Sequence, residues 1–278
     1  MDGTKQKVWS KQPGTEQVMK FVVKLGGAAL EDPEMLHRCA QAVAELARDG
    51  HQVALVHGGG VQLTRTLKAM GKSSEFIAGL RVTDAVTRDT ALMVLAGQVN
   101  KSLVASLGAH GQPAVGMSGG DGLIFRARKK RTAPDLGFVG EIVASDPRWL
   151  DAIWKMGSVP VLSSMALGFD GEYYNINADE MAAACAMSCK ADALVFLTDV
   201  PGVRGADGDV MRWLNIDQID KLTKDAVISG GMLPKLSACR EALLHGVKRV
   251  RILPAAEAGV LPDLCSARIT HGTEVMVA

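Results

Sequence analysis

The chain has almost no surplus of charge. Its 278 residues carry 31 Lys+Arg against 30 Asp+Glu, a formal net charge of +1. A surface that grips nucleic-acid phosphates ordinarily shows as a basic excess, so this balance argues against one. Long apolar runs are missing too: no uninterrupted stretch approaches the roughly 18–20 residues of a membrane-crossing helix. The segment up to Lys20 is polar and lacks the apolar core of a signal peptide. Cysteine is sparse and unpatterned. Cys39, Cys185, Cys189, Cys239 and Cys265 show neither a disulfide framework nor a metal spacing. Cys185 and Cys189 stand four apart, where a helix puts two ligands on one face. No second Cys/His pair completes a zinc site, so they read as small buried apolar residues in a reducing cytosol. Low-complexity linkers and fixed-period repeats are absent, which favours one domain over two tethered ones.

Glycine is what the chain has in excess: 30 residues, more than one in ten, many of them adjacent. They are too aperiodic for collagen and too interleaved with apolar residues for a linker. Glycines of this kind serve tight turns or close approach to a ligand. Around them the pattern alternates. Phe21–Leu25 reads as an apolar strand ending in Gly26-Gly27. A helix over Asp32–Arg48 follows, with Asp32 as N-cap and Pro33 in the first helical position. Gln52–Val56 is a second strand, running into Gly58-Gly59-Gly60 and a helix near Val61–Met70. Further helices are predicted over Asp84–Ala96, Pro147–Met156, Ala178–Cys189, Asp217–Leu222 and Met232–His245. Strands are predicted over Leu123–Arg126, Phe138–Val143, Val159–Ser163, Ala193–Thr198, Val250–Leu253 and Glu274–Val277, with a hairpin over Ala166–Tyr174. Strands alternating with helices imply an α/β fold, a largely parallel sheet covered on both faces.

Strands that end in glycine turns before helices make anion sites, because backbone N–H groups and the helix dipole favour negative charge. Three familiar phosphate binders are excluded. Gly71-Lys72-Ser73 imitates the end of a P-loop, but the required first glycine is Thr66. The dinucleotide fingerprint fails at Leu63, which stands where its third glycine belongs, and that disfavours a nicotinamide oxidoreductase. The His-Arg-Asp and Asp-Phe-Gly elements of protein kinases are missing. Several single residues carry two readings. Lys24 lies inside an apolar strand and either snorkels at an edge or awaits an anion. Asn177 and Asp179 suit a helix cap as well as a site. Arg81 is a surface arginine or a fork for a carboxylate, and Lys235, alone a helix-surface lysine, follows a third glycine turn, Gly230-Gly231, that opens a helix. The basic run Arg126–Arg131 reads as a solvated hairpin.

Taken in order, the segments Lys24–Leu30 (KLGGAAL), His57–Gly60 (HGGG), Gly79–Thr83 (GLRVT), Asn175–Asp179 (NINAD), Leu197–Val203 (LTDVPGV) and Gly230–Lys235 (GGMLPK) resemble the amino-acid kinase superfamily. Within it they are most similar to the N-acetyl-L-glutamate kinase family. The resemblance runs from about Phe21 to the C-terminus. It implies a three-layer αβα sandwich with a central, mostly parallel sheet of about eight strands. It divides the chain into an N-terminal extension (1–20) and one kinase domain (21–278). In that domain an N-lobe (about 21–175) takes the acyl-amino acid and dimerises, and a C-lobe (about 176–278) takes ATP.

The resemblance also implies the reaction: phosphorylation of the γ-carboxylate of N-acetyl-L-glutamate by ATP with Mg²⁺, in the cytoplasm, for arginine biosynthesis. Lys24, Lys235 and Asp179 are the catalytic residues it implies. Gly59, Gly60, Arg81, Asn175 and Asn177 fall to the acyl substrate. Gly26, Gly27, Gly58, Thr198, Asp199, Gly202, Val203, Gly230, Gly231 and Met232 fall to nucleotide and phosphate. No metal ligand, nucleic acid or membrane partner is implied. Related alternatives are a kinase for carrier-bound aminoadipate and a regulatory nucleotide-binding member. The family includes homodimers and hexamers built as trimers of dimers, with L-arginine as a candidate effector. Pro13-Gly14 interrupts the segment where arginine-inhibited members carry a linking helix. The tail Ile269–Val275 keeps a Gly-Thr pair without the glycine-rich arrangement before it.

Overall fold

The computed structural model describes residues 18–225, 227–228, 230–265 and 271–277. The expectations placed on residues 1–17 and on Ile269–Thr270 lie outside this set. The chain opens with β1 (Lys20–Leu25), buried along all but its first residue. A five-residue helical turn, α1 (Gly27–Glu31), and α2 (Pro33–Arg48) follow. Asp32 caps α2 as its side chain accepts from the N–H groups of Glu34 and Met35. β2 (Gln52–His57) runs through Gly58-Gly59 into α3 (Gly60–Ala69). A short hairpin, β3 (Phe76–Ile77) and β4 (Leu80–Arg81), precedes α4 (Ala85–Ala91), a π-helical segment (Leu92–Val99) and α5 (Asn100–Ala109). Next come β5 (Ala114–Met117), β6 (Phe125–Lys129), β7 (Val139–Ser145), α6 (Arg148–Lys155), β8 (Val159–Ser163), β9 (Met165–Gly168) and β10 (Tyr173–Ile176). The remainder comprises α7 (Ala178–Cys189), β11 (Ala193–Thr198), β12 (Trp213–Asn215), α8 (Ile216–Lys224), α9 (Met232–Leu244), β13 (Arg249–Pro254), a 3₁₀ segment (Ala255–Cys265) and β14 (Thr273–Met276).

Eight strands form the central sheet in the order β12-β14-β13-β11-β1-β2-β8-β5. The six from β13 to β5 are parallel, and β14 is antiparallel to β13. The mostly parallel eight-stranded sheet expected from the sequence is therefore present. A second unit was not foreseen. The two predicted hairpins join as β10-β7-β6-β9 into a small closed barrel, which leaves their strands no free edge.

The pleat of β1 decides what each face of the sheet holds. Phe21, Val23 and Leu25 enter the core layer that contains Cys39, Ala40 and Val43 of α2 and Leu103 of α5. Val22 enters the opposite layer, beneath Met181 and Cys185 of α7 and Leu236 and Cys239 of α9. With a side-chain period of two, Lys24 shares the face of Val22 and is delivered under α7 and α9. Alanine at 182, 183, 184 and 186 lets α7 approach the sheet closely, and all four are buried. Full burial of Phe196 in β11 beneath them contributes roughly 2–3 kcal/mol.

The helix predicted to end near Ala96 instead continues. Gly97 lies within the π-helical segment and does not stop it, so one helical stretch runs from Ala85 to Ala109. It is 25 residues long, and an 18-residue window in it has a mean hydropathy of 1.2, which would suit a membrane span by length and composition alone. The apolar residues Ala91, Val94, Leu95, Val99, Leu103 and Leu107 are spent on the core. Cys39, Cys185, Cys189 and Cys239 are buried free thiols, as expected of small apolar residues. The basic run is less free than expected. Lys129 pairs with Asp135, and Lys130 with Glu180 at the start of α7.

Candidate functional site

At the carboxyl end of β1 the structure joins three residues from distant parts of the chain. The Asp179 carboxylate meets the Lys24 ammonium at 2.8 Å and the Lys235 ammonium at 3.0 Å, both through Oδ1, and Lys235 also reaches Oδ2 at 3.1 Å. All three side chains are at most 10% exposed. Lys24 is therefore no snorkelling edge residue and Lys235 no surface residue. Asp179 is placed by the start of α7: the Asn177 side-chain oxygen accepts from the N–H groups of Asp179 and Glu180. Lys235 is placed by α9 and lies 4.9 Å from the centre of the Phe196 ring, a cation–π contact. Burial pushes the Lys24 ammonium pKa down, and Asp179 offsets part of that. Burial alone would raise the Asp179 carboxyl, but Lys24 and then Lys235 overcome it and hold the group below its ordinary value. The result is an ionised carboxylate between two ammoniums.

Beside this cluster lies a cavity of about 160 Å³ lined by Gly58, Gly59, Gly60, Phe76, Arg81, Asn175 and Asn177. Arg81 is 7% exposed. Its guanidinium donates to Ser74 Oγ at 2.5 Å, Gly60 C=O at 2.9 Å and Thr64 Oγ1 at 2.8 Å, and stacks 4.5 Å from the centre of Phe76. Every one of these oxygens is neutral, and burial lowers the arginine's pKa. A buried cation that meets only neutral groups among the described residues favours an incoming carboxylate. Asn175 donates to Thr83 Oγ1 at 3.3 Å. Asn177 borders the cavity, but its oxygen belongs to the helix cap.

The glycine turns differ in what they leave free. Gly26 N–H donates to Leu197 C=O at 3.0 Å, and Gly58 N–H reaches Leu25 C=O at 3.4 Å. α1 is a single turn, so Gly26-Gly27 does not open the long helix the sequence pointed to. Gly59, by contrast, is the N-cap of α3 at φ 147°, and a Cβ there would lie 2.7 Å from Leu95 Cδ2. Gly230 and Gly231 precede α9, and Met232 begins it.

After β11, Gly202 at φ 149° leaves no room for a Cβ against Thr273 and Val210. Thr198 is buried and donates to Asp199. A cavity of about 430 Å³ is bordered there by Pro201, Val210, Arg212, Glu257 and His271. The Val203 side chain is in the core, its N–H donates to Thr273 Oγ1 and its C=O accepts from Met211. Two residues to which the sequence reading gives no role, His57 and Asn100, bond to each other at 3.1 Å beneath the Gly58–Gly60 loop. His57 opens the His57–Gly60 segment, and the signal at Asn100 is a polar residue at the end of an apolar segment.

Residues 19–254 match the family model described as the amino acid kinase family. The chain is similar to an acetylglutamate kinase of Acidobacterium capsulatum, with 80% identity over 94% of this chain and 100% of that protein. An acetylglutamate kinase of Koribacter versatilis is 55% identical over 93% of this chain and 99% of its own length. Among solved structures, N-acetylglutamate synthase from Neisseria gonorrhoeae, complexed with coenzyme A and N-acetyl-glutamate, is similar with a TM-score of 0.82. Its identity is 26%, over 94% of this chain and 60% of that one.

The buried histidine gives the site a pH signature. Burial first, then the Lys24 charge, lowers the His57 pKa from 6.5 to about 4. The unfolded chain takes up this proton near pH 6.5 while the folded chain refuses it until about pH 4. Stability should therefore be complete above pH 6.5 and fall by up to roughly 3 kcal/mol on descent to pH 4. Urea unfolding between pH 7.5 and 4.5 measures it. The same slope in His57→Asn would show that other groups carry it.

Proposed function

The chain belongs to the amino acid kinase family, and we propose that it transfers the γ-phosphoryl group of ATP to the γ-carboxylate of N-acetyl-L-glutamate, a step of arginine biosynthesis. The observation that carries this reading is the Asp179 carboxylate holding two buried ammoniums beside a cavity with an uncompensated arginine. The acetylglutamate kinases most similar to the chain supply the substrate.

The chemistry suits what the site offers. A carboxylate with an ordinary pKa of about 4.3 is ionised at pH 7, so no general base is required. One γ-carboxylate oxygen attacks the γ-phosphorus. The bond from that phosphorus to the β–γ bridging oxygen breaks, and its electron pair leaves with ADP. The products are N-acetyl-L-glutamyl 5-phosphate and ADP, and no proton changes hands. The obstacle is repulsion between two anions, so positioning and fixed positive charge supply the catalysis.

Lys24 is assigned to the oxygens of the transferring group, and Lys235 to the charge that develops on the bridging oxygen. Asp179 is assigned to orienting both ammoniums, since an ionised carboxylate only accepts hydrogen bonds. With Gly26 and Gly58 amides engaged elsewhere, Gly27, Gly59 and Gly60 are the better donors to phosphate and carboxylate oxygens. Arg81 is assigned to the substrate's α-carboxylate, and Asn175 to the same molecule. The N-lobe holds the acyl-amino acid. The C-lobe holds MgATP along Thr198, Asp199, Gly202 and the Gly230–Met232 turn, with Mg²⁺ arriving as part of that substrate within phosphate and water oxygens. Unpaired buried thiols support a cytosolic setting.

Coupled-assay turnover of ATP with N-acetyl-L-glutamate tests the reaction, and activity confined to a different acid would end the substrate assignment. Lys24→Ala and Lys235→Ala should each lower kcat by about 10²–10³ while the fold survives. A near-normal kcat in either would remove its role. Arg81→Lys should raise KM for the acyl acid by about tenfold or more, with KM for ATP unchanged, because a single ammonium cannot fork a carboxylate. Sizing chromatography with and without L-arginine distinguishes a homodimer from a trimer of dimers and reports whether arginine is an effector.

A further inference from the structure

His57 ends β2, is fully buried and does not line the substrate cavity. Its Nδ1 lies 2.7 Å from Gly58 C=O. A carbonyl only accepts, so Nδ1 carries the proton and Nε2 presents a lone pair. That lone pair faces Asn100 Nδ2 at 3.1 Å. The amide cannot be turned over: its nitrogen also faces Val161 C=O at 2.9 Å and Met117 C=O at 3.4 Å, and both need a donor. The proton pattern is thus set by backbone from β8 and β5. Among the described residues the Asn100 oxygen has no partner; it is buried and sits where a Cβ on Gly116 would fall, 1.9 Å away.

The loop above is held at each of its three carbonyls. Gly58 C=O accepts from His57, Gly59 C=O from Leu63 N–H, and Gly60 C=O from Arg81 and Thr64. In a trans peptide the C=O of one residue and the N–H of the next lie in one plane and point oppositely. Holding Gly58 C=O therefore fixes the direction of Gly59 N–H, away from His57 and toward the cavity that Gly59 lines. Gly59 also rests against Leu95 and Val99 of the π-helical segment, whose next residue is Asn100. One helical stretch thus supports the glycine and anchors the histidine.

We propose that His57, oriented by Asn100, is a positioning residue for phosphoryl transfer: its Nδ1–H fixes the Gly58–Gly59 peptide plane and aims Gly59 N–H at the reacting oxygens. The proposal rests on the kinase reading above. Two measurements test it. Side-chain ¹⁵N NMR of the histidines in the wild-type protein should find His57 neutral at pH 7 with its proton on Nδ1; a proton on Nε2 overturns the proposal whether or not any variant folds. In kinetics, His57→Leu should lower kcat by about 10–100-fold with KM for ATP changed less than about threefold. His57→Asn, whose amide brings an N–H near the place of Nδ1, should recover most of that loss. Near-normal kcat in His57→Leu, or an equal loss in both variants, overturns it. A wild type without turnover of ATP and N-acetyl-L-glutamate would instead overturn the kinase reading.

Discussion

The site depends on one carboxylate shared by two ammoniums. Exposed ion pairs contribute about 0–1 kcal/mol, whereas desolvating each ion of a buried pair costs several. Lys24, Asp179 and Lys235 are all at most 10% exposed, so their cluster is a poor way to stabilise a fold. In the proposed reaction its value lies in the positive charge these two lysines hold at the end of β1, a balance that an anionic ligand would complete. Much of the surrounding architecture serves this arrangement. The pleat of β1 turns Lys24 toward α7, small alanines let α7 approach, Asn177 caps it, and Phe196 lies under the Lys235 ammonium.

Arg81 repeats the device on a second element. Its guanidinium is buried among neutral oxygens and stacked on Phe76, short of a counter-charge that a carboxylate substrate would bring. The glycine loop between the two cationic centres supplies directed N–H groups without side chains to block approach. The near-zero net charge of the chain fits this economy. A few cations, desolvated and aimed, exert more field in a low-dielectric cleft than many on a wet surface.

Regular elements were legible because their signals are local. The Asp32-Pro33 start of α2, the run Ala193–Thr198 and the span Ala178–Cys189 match the structure residue for residue. Lys24 was visible as a cation inside an apolar strand. Asp179 and Lys235 carried bland local readings and were singled out by the ordered motifs they share with the kinase family. Helix ends fared worse where a glycine is absorbed by an unusual turn, as at Gly97. The β3–β4 hairpin was missed because two-residue strands have no periodicity to detect. Val203 sits in its motif, yet hydrogen bonding to Thr273 gives it a structural duty that no spacing reveals, whereas the capping duty of Asn177 was one of its two sequence readings.

By itself the sequence determined the alternating α/β plan, the glycine turns at strand ends and the residue types that phosphate and carboxylate chemistry needs. These follow from near-neighbour rules: side-chain period, capping and φ freedom. Only the tertiary structure decided that Lys24 and Lys235, more than two hundred residues apart, meet on one oxygen of Asp179. It also decided that the Gly26 and Gly58 amides are engaged, and that His57 meets Gly58 C=O and Asn100 beneath the loop. Those outcomes depend on which face of a strand meets which helix and on where each buried donor finds its acceptor. Such choices are made by contacts between segments distant in the chain.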